Sequence, residues 1–378
     1  MPPVLERNTR TIYAYPSDTG VLYSRSFFVL LNKERAIYTM KKFPVLILIV
    51  LLLVNLPGCA KQEQLKYDRD FFAMDTYIAC QILSADEEQS AKALDAVQAA
   101  FVEIDRLTNR FAQDSEISAV NQNAGIAPVK VSKDVYAMVE TSLQWSDKGE
   151  GAFNILIGDV MDLWGFGTEH PVVPSQEALE AALTRTDYHQ IVLDKANSTI
   201  YLPQKGMVMD LGGVAKGYAT DKAVAALKEL GITNALINAG GNVYAMGCRA
   251  DGTPWKIGVQ DPRDPQGIKM LLQGRDTALV SSGDYQRYFE KDGVRYHHIL
   301  DPASGTPARA SAGTTVIMKS ATLADILSTT LFVKGPTEGI ALAESFQEVD
   351  AVVIIDDKGR IFTSADLNKY MTELQEAR

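Results

Sequence analysis

The sequence predicts an α+β fold built as one compact mixed unit, and three observations predict it. From Ser84 to Arg110 apolar residues recur at steps of three and four, at Ala91, Leu94, Val97, Phe101, Ile104 and Leu107, the stripe of an amphipathic helix. Short runs rich in β-branched residues follow one another further on, among them Thr76 to Leu83, Ala235 to Asn238 and Ala351 to Asp356. Helices and strands nonetheless do not alternate in the regular β-α-β manner of a doubly wound sheet. In agreement, the chain contains no GxxxxGK[ST] phosphate loop and no GxGxxG dinucleotide fingerprint. It also lacks HExxH and the GxSxG elbow, so the standard nucleotide and hydrolase folds are unsupported.

The first sixty residues carry a different signal. Met40-Lys41-Lys42 precedes an apolar run from Phe43 to Val54, and Leu56-Pro57-Gly58-Cys59 closes it. That core is shorter than the roughly 18 to 20 residues a spanning helix needs, while its charged start and small-residue exit match a secretory signal peptide. Leu56-Pro57-Gly58-Cys59 resembles the bacterial lipobox, in which cleavage precedes the cysteine and the cysteine is lipidated. Residues 1 to 39 are then an over-extended start, 40 to 58 a lipoprotein signal peptide, and 59 to 66 a lipidated Cys59 with a polar tether. Residues 67 to 378 form the folded domain. The expected product is a soluble domain held by lipid at the extracytoplasmic face of a bacterial membrane.

A second helix is expected from about Ser132, its cap, to Lys148, with Gly149 as the stop. Further strands are expected at Gln190 to Asp194, Thr199 to Pro203, Trp255 to Val259 and Ala278 to Ser281. Further helices are expected at Ser175 to Leu183, Ala215 to Leu230, Ser320 to Val333 and Pro336 to Ser345. The 378 residues would accommodate two typical domains, but no repeat, low-complexity tract or linker divides them. Lys+Arg 37 against Asp+Glu 47 gives a net charge of -10, which argues against nucleic acid and requires local cations for any phosphate-bearing substrate. Cys59, Cys80 and Cys248 are too few and too scattered for a disulfide framework or a zinc site.

Three segments carry chemistry. In Met209-Asp210-Leu211-Gly212-Gly213-Val214-Ala215-Lys216-Gly217 an apolar run leads through two glycines into a helix start, where free N–H groups and the helix dipole suit a phosphate, and a carbonyl can face a cation. A structural Gly-Gly turn is the plain alternative. In Ala321 to Thr330 the carboxylate of Asp325 and the hydroxyl of Thr329 lie four residues apart on one helix face, hard oxygen donors of the kind Mg²⁺ takes. By spacing alone a surface Asp with a hydroxyl bonded back to its helix is the favoured reading. The third segment joins Ser281-Ser282-Gly283-Asp284-Tyr285 to His297-His298-Ile299-Leu300-Asp301-Pro302. Neighbours on a strand point to opposite faces, so one histidine at most faces a given site, and a histidine is a natural proton carrier.

Taken together these segments resemble the FAD:protein FMN transferase family, the ApbE-type flavin transferases, in a lipoprotein form. The resemblance begins at Phe72-Ala73-Met74-Asp75-Thr76-Tyr77 and continues through Asn109-Arg110-Phe111-Ala112-Gln113-Asp114-Ser115-Glu116. It takes in Gly151-Ala152-Phe153-Asn154, Asp210-Leu211-Gly212-Gly213-Val214-Ala215-Lys216-Gly217 and Asn238-Ala239-Gly240-Gly241-Asn242, and ends in the histidine and Asp325 segments. It implies an ApbE-like, T-fold-related architecture. It also implies cleavage of FAD, with FMN transferred through a phosphoester to a Ser or Thr of an acceptor flavoprotein and release of AMP. FAD would be held by Met74, Phe111, Ala152, Phe153, Asn154, Asp210, Lys216 and Ile299. Mg²⁺ would be held by the Gly213 carbonyl, Asp325 and Thr329. His298 is the first candidate for the base and Asp284 the second. Asn154 stands where many members have Asp, and Phe111 where some have Tyr. The implied partners are flavin-carrying subunits of membrane redox complexes or extracytoplasmic flavoproteins with a pattern similar to Asp-x-x-Ser/Thr-Gly-Ala-Ser/Thr. A flavin-binding lipoprotein without chemistry, or a Mg²⁺-dependent FAD pyrophosphatase yielding FMN and AMP, would use the same residues.

Overall fold

The first element of the structure, a computed structural model that describes residues 64–372, is a strand the sequence reading leaves out. β1 (Leu65–Ala73) turns Tyr67, Arg69, Phe71 and Ala73 inward and Lys66, Asp68, Asp70 and Phe72 outward, an alternation masked by its many charges. Leu65 and Lys66 pair with Ser84 and Leu83, so the tether expected to run through Lys66 gives way to strand at Leu65. Cys59 and the whole apolar run lie outside the described residues, within which no helix is long and apolar enough to cross a membrane.

β2 (Thr76–Ser84) returns through a two-residue turn to α1 (Glu87–Thr108), which Asp86 caps by accepting the Gln89 N–H. After α2 (Glu116–Gln122) and the short β3 (Val129–Lys130), α3 (Lys133–Lys148) starts behind a Ser132 cap and stops at Gly149, as its sequence indicates. There follow α4 (Gly158–Trp164), α5 (Gln176–Leu183), β4 (Val192–Asp194), β5 (Thr199–Tyr201) and α6 (Ala215–Glu229). β6 (Asn234–Ala239), β7 (Asn242–Met246), β8 (Trp255–Asp261), β9 (Asp264–Gly274) and β10 (Thr277–Gly283) come next. The chain continues with β11 (Tyr288–Lys291), β12 (Val294–His297), β13 (Leu300–Asp301), β14 (Thr306–Pro307) and β15 (Ser311–Met318). It closes with α7 (Ala321–Glu344), β16 (Val349–Asp356) and β17 (Ile361–Thr363). The two helices expected on either side of residue 335 are both present, run together here as α7 and separated at Gly335, whose non-helical backbone precedes Pro336.

The α+β expectation holds. Eight strands form one sheet in the order β1-β2-β6-β7-β10-β15-β16-β17, every neighbour antiparallel. On one face α1, α6 and α7 pack over Ile237, Val280, Val316 and Val352. On the other, the β8–β9 ribbon buries Trp255, Val259 and Leu272 against Leu279, Ile317 and Val353. Each helix buries its apolar stripe, at about 25 cal/mol per Å² of apolar area removed from water, and this is the main term holding the layers.

α6 and α7 approach unusually closely. A Cβ placed on Gly217 would stand 2.3 Å from the Ala321 carbonyl oxygen, backbone that cannot give way. Gly217→Ala should therefore lower stability by about 1–3 kcal/mol, the cost of overpacking a filled contact. Urea denaturation checks this, and an unchanged midpoint would show that the two helices are free to separate.

Candidate functional site

At one end of the sheet the strands open onto a cleft of about 1160 Å³. Two hairpin turns form part of its rim. Met74 and Asp75 join β1 to β2 with φ of 52° and 54°, a turn whose sterics favour Asn-Gly and which these residues occupy only under constraint. The constraint is visible: Met74 N–H donates to Asp105 Oδ2 at 3.0 Å, and Arg287 pairs with Asp75 at 2.8 Å. Gly240 and Gly241 make the equivalent turn between β6 and β7, with φ of 59° and 92°. Here a side chain is excluded, since a Cβ on Gly240 would stand 2.2 Å from Thr76 Oγ1 of the neighbouring hairpin.

The seam between α6 and α7 supplies the chemistry-bearing groups. Asp325 is 4% exposed. Its Oδ2 accepts the Gly217 N–H at 2.9 Å, and Lys216 Nζ stands 4.0 Å away while donating to the Gly212 carbonyl at 2.9 Å. Burial pushes the Asp325 carboxyl above the usual carboxylate range, against the opposing pull of Lys216 and the Gly217 N–H. One turn on, Thr329 Oγ1 lies 3.5 Å from the Ser282 hydroxyl, which is bonded at 2.7 Å to Ser328. Asp325, Thr329 and Gly213 all border the cleft.

Among the described residues no cluster of three or more His, Cys, Asp or Glu side chains is placed to hold a metal ion. One buried carboxylate, one hydroxyl and one carbonyl form instead the sparse, hard-oxygen set that suits Mg²⁺, an ion that keeps waters and substrate phosphates in its shell. The residues present fit that ion.

Arg110, to which the sequence reading gave no role, organises the wall opposite the seam. Its guanidinium meets Asp210 at 2.7 Å and Asp162 at 2.7 Å and lies 4.2 Å under the Phe111 ring, which is 76% exposed. Asp210 also accepts the Gly212 N–H at 2.7 Å, so one carboxylate fixes both the arginine and the glycine turn. Asn154 donates from Nδ2 to the Thr186 carbonyl at 2.7 Å and accepts the Leu156 N–H at 2.8 Å. An Asp could make the second bond but not the first, which accounts for Asn in this chain.

The two histidines divide, His297 as the last residue of β12 and His298 in the bend just beyond it. His298 is half-buried and borders the cleft. Its Nδ1 lies 3.2 Å from the Arg287 carbonyl, which can only accept, so Nδ1 carries the proton and Nε2 keeps a free lone pair. Enclosure of the ring, with Arg287 beside it, pushes its pKa down to about 3, and the edge that solvent reaches limits that depression. His297, 2% exposed, points away: Nε2 donates to the Ala308 carbonyl at 2.8 Å, and Nδ1 is buried without a partner among the described residues.

Of the residues singled out in the sequence, Met74, Phe111, Ala152, Phe153, Asn154, Asp210, Gly213, Lys216, His298, Ile299, Asp325 and Thr329 all border this one cleft. Asp284 does not. It is 6% exposed, lies outside the cleft lining, and Arg263 donates to both of its carboxylate oxygens at 2.7 and 2.8 Å. Its place is a buried ion pair behind the cleft wall, which removes it as the second candidate for the base. Signals for Arg110 and for the turn glycines existed in the quoted segments, but only the fold brings Asp162 to Arg110 or Thr76 to Gly240.

Comparisons with known proteins show which family the chain is similar to. The model of the ApbE family matches residues 74–353. A FAD:protein FMN transferase of Treponema pallidum (strain Nichols) is 39% identical over 269 residues, which cover 67% of this chain and 74% of that protein. One from Vibrio cholerae serotype O1 is 33% identical over 283 residues, covering 72% of this chain and 84% of that protein. The crystal structure of the ApbE protein of Thermotoga maritima superposes with a TM-score of 0.76 at 31% identity, covering 82% of this chain and all of that one.

The histidine pair makes stability pH-dependent. Burial pushes the pKa of His297 down to about 4, and that of His298 is depressed as well, whereas in the unfolded chain each titrates near about 6.5. Below about pH 6.5 the unfolded chain therefore binds more protons, and stability falls with pH until about 4, by about 3 kcal/mol for His297 alone. His297→Gln should flatten urea midpoints measured across that window; a variant as acid-sensitive as the parent would place the linkage elsewhere.

Proposed function

The chain belongs to the ApbE family, and on that premise we propose that it is a FAD:protein FMN transferase, moving FMN from FAD to a Ser or Thr of an acceptor flavoprotein. The observation that carries the reading is the gathering of twelve separately quoted residues on one cleft, around the buried carboxylate of Asp325. The acceptor hydroxyl oxygen attacks the FMN phosphorus, a phosphoester bond forms, the P–O bond to the AMP phosphate breaks, and AMP leaves.

In this reading Met74, Phe111, Ala152, Phe153, Asn154, Asp210, Lys216 and Ile299 hold FAD. The exposed Phe111 ring offers stacking area but no hydroxyl, and the Arg110 guanidinium beneath it stiffens the platform. Lys216 brings its ammonium to the pyrophosphate at the first turn of α6, where the positive end of the helix dipole also favours an anion. His298 Nε2 takes the acceptor proton. A depressed pKa keeps the ring neutral and its lone pair available, and the approach of anionic substrate phosphates raises its basicity. The Gly213 carbonyl, Asp325 and Thr329 would hold Mg²⁺. When bound, that ion offsets charge on the bridging phosphates and on departing AMP.

The Leu56-Pro57-Gly58-Cys59 order, the apolar run before it and the net charge of -10 support a lipid-anchored, extracytoplasmic enzyme acting on membrane redox subunits or exported flavoproteins. Cys59→Ala should abolish incorporation of labelled palmitate into the protein, and labelling retained in that variant would refute lipidation at that cysteine.

Incubation with FAD, Mg²⁺ and an acceptor domain carrying Asp-x-x-Thr-Gly-Ala-Thr, followed by intact mass measurement, should show one FMN added to the acceptor and AMP released. FAD retained unchanged would mark a binder, and free FMN a pyrophosphatase. Asp325→Ala should reduce transfer by about 10³-fold or more and remove its dependence on Mg²⁺. His298→Ala should bind FAD normally yet transfer about 10²- to 10⁴-fold more slowly. Full transfer by either variant would remove that residue from its assigned role.

A further inference from the structure

The cleft reaches both faces of the sheet. Val280 and Ser282 of β10 face the helices and border the part around Asp325, while Leu279 and Ser281, on the opposite face, border a second part. That second part lies between the sheet and β8, and five consecutive residues of β8, Lys256 through Gln260, line it. Consecutive residues on a strand alternate in side-chain direction, so only a strand edge presents all of them to one space.

Register shows which backbone groups that edge offers. Gln273 donates its N–H to the Tyr370 carbonyl at 2.7 Å, and the Leu271 carbonyl accepts from Thr372 at 3.2 Å, so these two residues of β9 point away from β8. Their antiparallel partners are Lys256 and Gly258, which therefore point away from β9. Among the described residues neither makes a backbone hydrogen bond outside the ribbon, and Gly258 has no side chain to obstruct approach. β8 is thus an open edge with two residues' worth of unpaired donors and acceptors turned into the cleft.

We infer that the part of the cleft beneath β8 receives the acceptor polypeptide as an extended segment that pairs with the open edge at Lys256 and Gly258. This rests on the transferase reading, in which the second substrate is a protein chain. None of the twelve residues assigned to FAD, Mg²⁺ or proton transfer lies on β8, so the edge is free for that second substrate. Main-chain pairing of this kind gives affinity, and alternate side chains of the added strand meet the sheet face for specificity. Continuity of the two parts delivers a Ser or Thr on that segment to the phosphorus beside Asp325.

The test uses the whole protein and the acceptor domain carrying Asp-x-x-Thr-Gly-Ala-Thr. Lys256→Pro removes one outward N–H on an edge strand, a position that tolerates proline, without removing a ribbon hydrogen bond. It should raise KM for the acceptor about 10-fold or more, with FAD affinity and thermal midpoint unchanged. Hydrogen exchange on the unaltered protein supplies the second readout: the amides of Lys256 and Gly258 should gain protection when acceptor binds. An unchanged acceptor KM in folded Lys256→Pro, or unprotected amides under saturating acceptor, would overturn the docking site. Absence of any FMN transfer by the parent protein would overturn the transferase reading itself, so the two failures are distinguishable.

Discussion

The site depends on two helices exchanging carboxylates. α7 lends Asp325 to α6, whose Gly217 N–H it accepts, and α6 lends Asp221 to α7, where it accepts from Ser320 Oγ, the Ala321 and Thr322 N–H groups and Thr322 Oγ1 at 2.6 to 3.0 Å. Asp221 thereby satisfies orphan donors of the first turn and meets the positive end of the helix dipole. The exchange fixes the register of one helix on the other, and Gly217 allows them to close. Asp221 is fully engaged and structural. Asp325 is different: among the described residues no hydrogen bond reaches its second oxygen, and a buried, incompletely paired carboxylate costs stability. A core would replace such a group with an apolar one unless the charge served a purpose at the cleft.

The rim illustrates the same economy in backbone conformation. Two non-glycine residues at positive φ, Met74 and Asp75, each cost of order 1–3 kcal/mol, and they persist because Asp105 and Arg287 hold them. The neighbouring Gly240-Gly241 turn carries no such strain, and its missing side chains admit Thr76. A strained turn braced by Asp105 of α1 and by Arg287 presents Met74 at a set position, whereas a relaxed Gly-Gly turn there would leave that edge of the cleft adjustable.

Elements announced themselves in the sequence where local chemistry and tertiary environment agreed. α3 has Ser132 before it and Gly149 after it, α1 carries a regular apolar stripe, and the break at Gly335-Pro336 is written in the two residues that cause it. β15 was illegible because it is buried on both faces and starts Ser-Ala-Gly-Thr-Thr, residues whose local preference is for turns. Asp284 misled because an Asp beside a Ser-Gly turn looks equally available whether or not Arg263 waits across the fold. The partners that decide a carboxylate's role, Arg263 for Asp284 and Gly217 for Asp325, stand 21 and 108 residues away. No window of sequence contains them.

Charge pairing sharpens what the cleft needs. Arg110 is held by Asp162 and Asp210, Arg287 by Asp75, and Lys216 stands near Asp325, so each of these cations already faces a carboxylate. The chain as a whole is at -10. Lys256, on β8, is the cleft lysine without such a partner among the described residues, so a pyrophosphate held beside Asp325 meets little other uncompensated positive charge from side chains. Helix-start N–H groups at α6 contribute a partial charge of about one half, short of what two phosphates carry. On the transferase reading the remaining compensation falls to a divalent cation at the one buried carboxylate with an oxygen to spare. Asp325 is then costly to the apo protein for the same reason that it is useful to the loaded one.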